Sequence, residues 1–203
     1  RHIAVNENGD IYMKLRGVTP QGGSVGLRDT TGDGKADIIK YFGSYEDPGS
    51  YGTAMRLHNG YLYYSTTGVV YRNKLVSGQL LPDTVSEPIV VDDYRSRPYG
   101  TEHKTKPITF DDKGHLYVPF GSPGDVCQVE NRMPGSPGKL PCPELAIHGG
   151  VWQFDANKPN QTQADGKRYA TGIRSIVAMD WNFEDGNLFA VQHGRDDFFR
   201  TWP

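Results

Sequence analysis

The chain has 203 residues, 36% of them hydrophobic and 23% charged, with 25 glycines, 14 prolines and a formal net charge of −2. That length holds one or two ordinary domains, and the near-neutral charge excludes a protein that grips nucleic acid through a basic face. No apolar stretch reaches the length of a transmembrane helix.

From the first residues onward one unit recurs: a short apolar strand, a polar turn ending in Gly, and a second apolar strand. Arg1-His2 opens directly on it, without a secretory leader, so a processed or trimmed chain is expected. Ile3-Ala4-Val5, Asn8-Gly9 and Ile11-Tyr12-Met13 predict a first hairpin within residues 1–16, followed by a flexible connection from Gly17 to Gly26.

Next, Asp29, Thr31, Asp33 and Asp37 stand at positions 1, 3, 5 and 9 of a calcium-loop spacing, with Gly34 at position 6. Such spacing can wrap oxygen ligands around one hard cation. The bidentate Glu expected at position 12 is replaced by Lys40. Two readings stand: a structural calcium, or an Asp/Gly turn whose carboxylates cap its own backbone.

Ile38–Phe42 predicts a strand and Asp47–Gly52 a loop. Met55-Arg56-Leu57, Asn59-Gly60 and Leu62-Tyr63 form the second hairpin, with further strands at Val69–Arg72 and Pro88–Val91. Tyr94–Lys106 is a polar connection. Ile108-Thr109-Phe110, the turn Asp111–Gly114 and His115–Val118 form the third hairpin. Gly121–Gly150 is a long excursion, and loops of that length are commonly functional. Val151–Asp155 alternates as a strand, and Asn157–Gly166 is a polar turn containing the sequon Asn160-Gln161-Thr162, which matters in a eukaryotic secretory host. Ala178–Trp181, Asp185-Gly186 and Leu188–Ala190 make the fourth hairpin. No amphipathic helix is evident.

The turn glycines Gly9, Gly60, Gly114 and Gly186 lie 51, 54 and 72 residues apart. A repeat near this length, built of short strands, is the mark of a β-propeller blade. The expectation is an all-β, single-domain β-propeller over residues 1–203. About four blades are visible, part of a longer propeller whose other blades lie in a separate or missing segment.

The two cysteines, Cys127 and Cys142, both fall in the long excursion. They are either free thiols or a disulfide that closes a loop of about 15 residues, worth roughly 3 kcal/mol in the chain-entropy model. The disulfide is favoured because so long an irregular loop otherwise lacks a staple, and it implies a periplasmic or secreted protein.

His103 is the leading catalytic candidate. It sits just upstream of a blade's first strand, and an imidazole can take a proton from an alcohol or hemiacetal hydroxyl; a solvated loop His is the bland reading. Glu102 beside it could orient it or bind a hydroxyl. Arg174 holds the comparable place before the fourth hairpin and could meet an anionic cofactor or oxyanion, or could be a surface ion-pair residue. Asp196 and Asp197 suit a metal or an ordinary turn. His148-Gly149-Gly150 has the look of an esterase oxyanion loop, but without a G-x-S-x-G partner it reads as a strand start.

The order His103, then Ile108–Ser122, then Ala170-Thr171-Gly172-Ile173-Arg174, then Gln192-His193-Gly194-Arg195 resembles the soluble quinoprotein sugar dehydrogenases, including the sorbosone-dehydrogenase-like branch. The motifs span residues 103–195, and the blade repeat extends the likeness over the chain. The resemblance implies a six-bladed propeller carrying pyrroloquinoline quinone and calcium, of which this chain is the N-terminal half or two thirds. It implies His103 as general base for the sugar's anomeric hydroxyl, Glu102 as a substrate contact, and Arg174 and Ser175 against the quinone. Gly194 and Arg195 would offer backbone carbonyls to the active-site calcium. Ser175 stands where the family usually has Asn, and further cofactor positions would fall beyond Pro203. The expected partner is a small sugar, with an unspecified electron acceptor. The alternatives from other classes are a glycan- or protein-binding propeller without catalysis, and a metal-dependent lactonase-like hydrolase.

Overall fold

The structure is a computed structural model that describes residues 2–43, 54–95 and 102–196. Among these residues it is all-β, with two short 3₁₀ turns at Pro143–Ala146 and Gln163–Asp165. Three four-stranded antiparallel sheets and one two-stranded sheet follow one another along the chain. Sheet 1 holds β1 (His2–Val5), β2 (Ile11–Thr19), β3 (Gly22–Arg28) and β4 (Ile38–Phe42). Sheet 2 holds β5 (Met55–His58), β6 (Tyr61–Ser65), β7 (Val69–Lys74) and β8 (Glu87–Val91). Sheet 3 holds β9 (Thr109–Phe110), β10 (His115–Phe120), β11 (Gly150–Asp155) and β12 (Lys167–Thr171). Sheet 4 pairs β13 (Ile176–Asn182) with β14 (Asn187–Gln192). Strands are paired in sequence order in every sheet, so each is a simple meander.

The hairpin turns form where the sequence places them. Gly9, Gly60, Gly114 and Gly186 all take positive φ, from 68 to 89°, the region that glycine enters without a Cβ penalty. The connection expected at Gly17–Gly26 is a correction. β2 runs through to Thr19 and β3 begins at Gly22. Gly22 answers to close packing: a Cβ there would lie 2.3 Å from the Phe42 carbonyl oxygen of β4.

Each sheet packs on its neighbours in sequence. Ala4 and Tyr12 of sheet 1 meet Met55, Leu62 and Tyr64 of sheet 2. Tyr63, Val70 and Ile89 of sheet 2 meet Leu116, Val118 and Phe120 of sheet 3. Tyr117 and Val151 of sheet 3 meet Ile176 and Met179 of sheet 4. β10 shows the reason in one strand. Successive side chains point to opposite faces, so Leu116, Val118 and Phe120 serve one interface while Tyr117 serves the other, and all four are buried. β6 divides in the same way, with Leu62 and Tyr64 on one side and Tyr63 on the other.

The first strands of sheets 1, 2 and 4 and the residues just before β9 border a hollow of about 320 Å³, lined by residues that include His2, Met55, Arg56, Ile108 and Met179. Arg56 spans it. Its guanidinium donates to the carbonyls of Ile108 and Met179 at 3.3 and 3.0 Å and pairs with Asp180. The outward faces of sheets 1 and 4 remain apolar and exposed at Ile3, Val5, Phe189 and Val191.

Candidate functional site

Antiparallel pairing gathers the candidate residues at one end of sheets 3 and 4. The start of β9 lies beside the end of β10, and the start of β13 beside the end of β14. His103 precedes β9, Ser122 follows β10, Arg174 and Ser175 precede β13, and Gly194 follows β14. All of them therefore converge.

Ser122 joins the first two through its backbone. Its N–H donates to the Arg174 carbonyl at 2.8 Å, and its own carbonyl accepts from His103 Nδ1 at 2.7 Å. A carbonyl only accepts, so Nδ1 carries the proton and Nε2 of the neutral ring keeps its lone pair. Burial lowers the His103 pKa below the ordinary histidine value. The Ser122 bond works against that shift, the Arg174 charge with it, and Glu102 and Asp196 against it. The segment has little freedom to move. Thr105 Oγ1 donates to the Ile176 carbonyl, Ser65 Oγ to the Lys106 carbonyl, and Lys106 forms a buried ion pair with Asp92. A Cβ on Gly121 would stand 2.2 Å from the His103 carbonyl oxygen, so the end of β10 can pass that close only as glycine.

Arg174 is a hub. Nε donates to the Asp125 carbonyl at 3.0 Å, and Nη1 donates to the carbonyls of His193 and Gly194 at 3.2 and 2.5 Å. Nη2 lies 2.6 Å from both Asp125 Oδ1 and Asp196 Oδ2. Arg132 Nη2 bridges Asp196 Oδ2 and Glu102 Oε2, at 3.0 and 2.9 Å, and Asn131 donates to Glu102 Oε1 at 2.9 Å. The Arg132 and Arg174 guanidiniums, through hydrogen bonds from Arg132 first, hold the Asp196 carboxyl below the usual range. Asp197 lies outside the described residues, as does the loop expected at Asp47–Gly52.

Asp125, Asn131 and Arg132 were not singled out in the sequence. They belong to the long excursion, whose length was its only signal. That excursion is stapled: Cys127 and Cys142 form a disulfide across a Cα–Cα distance of 6.1 Å.

For calcium, the residues at this end fit. The His193 and Gly194 carbonyls are hard oxygen donors of the kind calcium takes, and a carbonyl oxygen bonded to Arg174 keeps a second lone pair. Asp125 Oδ2 is buried and accepts no hydrogen bond among the described residues, with Arg195 Nε 3.8 Å away. The Arg174 and Arg195 guanidiniums already lie on the two oxygens of this carboxylate, so the fit for calcium rests on the carbonyls. For the quinone the fit is weaker. The Arg174 guanidinium is occupied by protein oxygens, and Ser175 is 4% exposed with its hydroxyl 3.4 Å from that of Thr105.

The loop of Asp29, Thr31, Asp33 and Asp37 lies apart from this site, at the opposite end of its sheet. Asp29 accepts from the amides of Thr31, Gly32 and Gly34, and Asp37 from those of Thr30 and Thr31. That is the geometry of the self-capped turn. His148 is buried just before β11, as the strand-start reading requires.

No family model and no curated protein matches the chain. Solved structures do. The PQQ domain of pyranose dehydrogenase from Coprinopsis cinerea, in its holo form, is similar with a TM-score of 0.70 at 14% identity, covering 97% of this chain and 44% of that one. The chain shares the fold of that domain. Iodide and calcium structures of the family AA12 carbohydrate-active enzyme from Trichoderma reesei are similar too, with TM-scores of 0.71 and 0.70 at 19 and 18% identity. Each covers 97% of this chain and 46% of the enzyme, so the chain spans less than half the length of the structures it resembles. No helix among the described residues is long and apolar enough to cross a membrane.

Proposed function

We propose that this chain is part of a secreted, quinone-dependent sugar oxidoreductase, folded as four successive blades of a six-bladed β-propeller. The observation that carries the reading is the state of His103: its Nδ1–H is held by the Ser122 carbonyl, so Nε2 is an acceptor at the converging ends of sheets 3 and 4. The shared fold supports the quinone class. The disulfide supports secretion. The apolar outer faces of sheets 1 and 4 support further blades that cover them.

Pyrroloquinoline quinone, when bound, supplies a hydride acceptor, and calcium polarises its reactive carbonyl. The chain's own residues do the rest. His103 Nε2 takes the proton of the sugar's anomeric hydroxyl. The Ser122 carbonyl keeps the ring in the tautomer that can do so, and the Glu102 and Asp196 carboxylates favour the imidazolium that results. Glu102, oriented by Asn131 and Arg132, accepts a hydrogen bond from a second sugar hydroxyl. The carbonyls at Gly194 and Arg195 would hold the calcium, and Arg174 fixes the turn that presents the first of them. Residues of the further blades would meet the quinone carboxylates, and Arg174 and Ser175 would be this chain's contacts to the quinone.

The test is dye reduction by the full-length protein with sugar, quinone and calcium supplied. Dye reduction that requires all three is expected. Reduction indifferent to the quinone overturns the reading, as does its absence with every component bound.

A further inference from the structure

The chain has one N-glycosylation sequon, Asn160-Gln161-Thr162, and nothing in the proposed chemistry uses it. A sequon in a folded protein is usable only where the finished fold leaves room for the glycan. Asn160 is exposed, in the bend that follows β11. Its backbone takes φ of 57°, the left-handed region that Asn tolerates among non-glycine residues. Its side-chain amide makes no hydrogen bond among the described residues, whereas the neighbouring Gln161 is buried. Gln161 Nε2 donates to the carbonyls of Asp155 and Lys158, and its Oε1 accepts from Asp155 N–H.

The backbone around the sequon is pinned to the edge of another sheet. Asn160 N–H donates to the Pro88 carbonyl, Gln161 N–H to that of Ile89, and Val91 N–H to that of Gln161. Asn160 and Gln161 thus pair in parallel with β8, the outermost strand of sheet 2. The amide is held outward at that rim by bonds made entirely through the backbone and through Gln161. The position is also remote from the candidate site. β11 begins at Gly150, opposite Phe120, whose neighbour Gly121 packs on His103, and ends at Asp155, opposite His115. That is about 17 Å along the sheet at the usual rise per residue, so a glycan at Asn160 leaves the His103 end open.

We infer that Asn160 is an N-glycosylation site that carries a glycan on the outer rim between sheets 2 and 3. In the transfer, Asn160 Nδ2 bonds to the anomeric carbon of a lipid-linked oligosaccharide. The lipid pyrophosphate departs with the bonding electrons, and the amide gives up one proton. The disulfide fits passage through a eukaryotic secretory compartment, where that donor is met, and the inference rests on the secreted class proposed above.

The experiment is intact-mass analysis of the full-length protein secreted from a yeast host, with peptide mapping after enzymatic deglycosylation. The wild type is expected to be heavier than its sequence by an N-glycan and to read Asp at position 160 once the glycan is removed. Asn160→Gln and Thr162→Ala are expected to lose that increment. Asn160→Gly, which suits the positive φ, is expected to lose it while melting with the unglycosylated wild type. Secreted, folded wild-type protein with unmodified Asn160 overturns the proposal, as does an increment that survives Asn160→Gly.

Discussion

What makes His103 a base is the bond its other nitrogen makes. With Nδ1–H fixed on Ser122, the acceptor is Nε2, and burial keeps the ring neutral to lower pH than a solvated histidine. A base of lowered pKa works while deprotonated. The acid limb of kcat/KM is therefore expected below the ordinary histidine value of about 6.5, with activity lost as pH falls through it. Glu102 raises the His103 pKa, so Glu102→Gln is expected to move the midpoint lower still, read by imidazole NMR titration; an upward move contradicts the assignment. Gly121→Ala puts a methyl against the His103 backbone, an overpacking that costs about 1–3 kcal/mol and shows as a lower urea midpoint together with reduced activity. His103 and Arg174 were legible in the sequence because each sits just before a repeat's first strand. Asp125 and Arg132 were not, because a loop without periodicity gives no register from which to place a side chain. Ser122 acts only through its backbone, so its identity carries no signal of its role.

At the scale of elements, the site depends on two devices that fix irregular chain. The first is the disulfide across the excursion that supplies Asp125, Asn131 and Arg132. Cys127→Ser with Cys142→Ser is expected to cost roughly 3 kcal/mol and lower the melting temperature; an unchanged melt contradicts a structural role. The second is the buried pair of Lys106 and Asp92, each nearly inaccessible, which ties the His103 segment to sheet 2. Lys106→Met alone strands a buried carboxylate at a cost of about 3–5 kcal/mol, whereas Lys106→Met with Asp92→Leu is expected to recover much of it; equal losses in chemical denaturation would contradict the pairing. The hairpins were legible because the glycine each turn needs is visible in the sequence. The extent of β2 and β3 was not. Gly22 is required by the approach of Phe42, a tertiary contact that from sequence alone looks the same as flexibility.

For the whole molecule, four sheets whose apolar faces pack on their sequence neighbours among the described residues, with Arg56 of sheet 2 also reaching sheet 4, were foreshadowed by the repeat of turn glycines. The burial of both faces of β6 and β10 follows from that arrangement. The outer strands β4 and β8 were readable only as isolated strands, since nothing local says which sheet they join, and β12 was not read as a strand. The central claim is that the residues gathered at the ends of sheets 3 and 4 oxidise a sugar with His103 as the base. Single-turnover reduction of the bound quinone by sugar, in full-length wild type and His103→Ala, tests it most directly. The account predicts that both bind the quinone and that His103→Ala reduces it about 10²–10⁴-fold more slowly. Equal rates in the two proteins would contradict it.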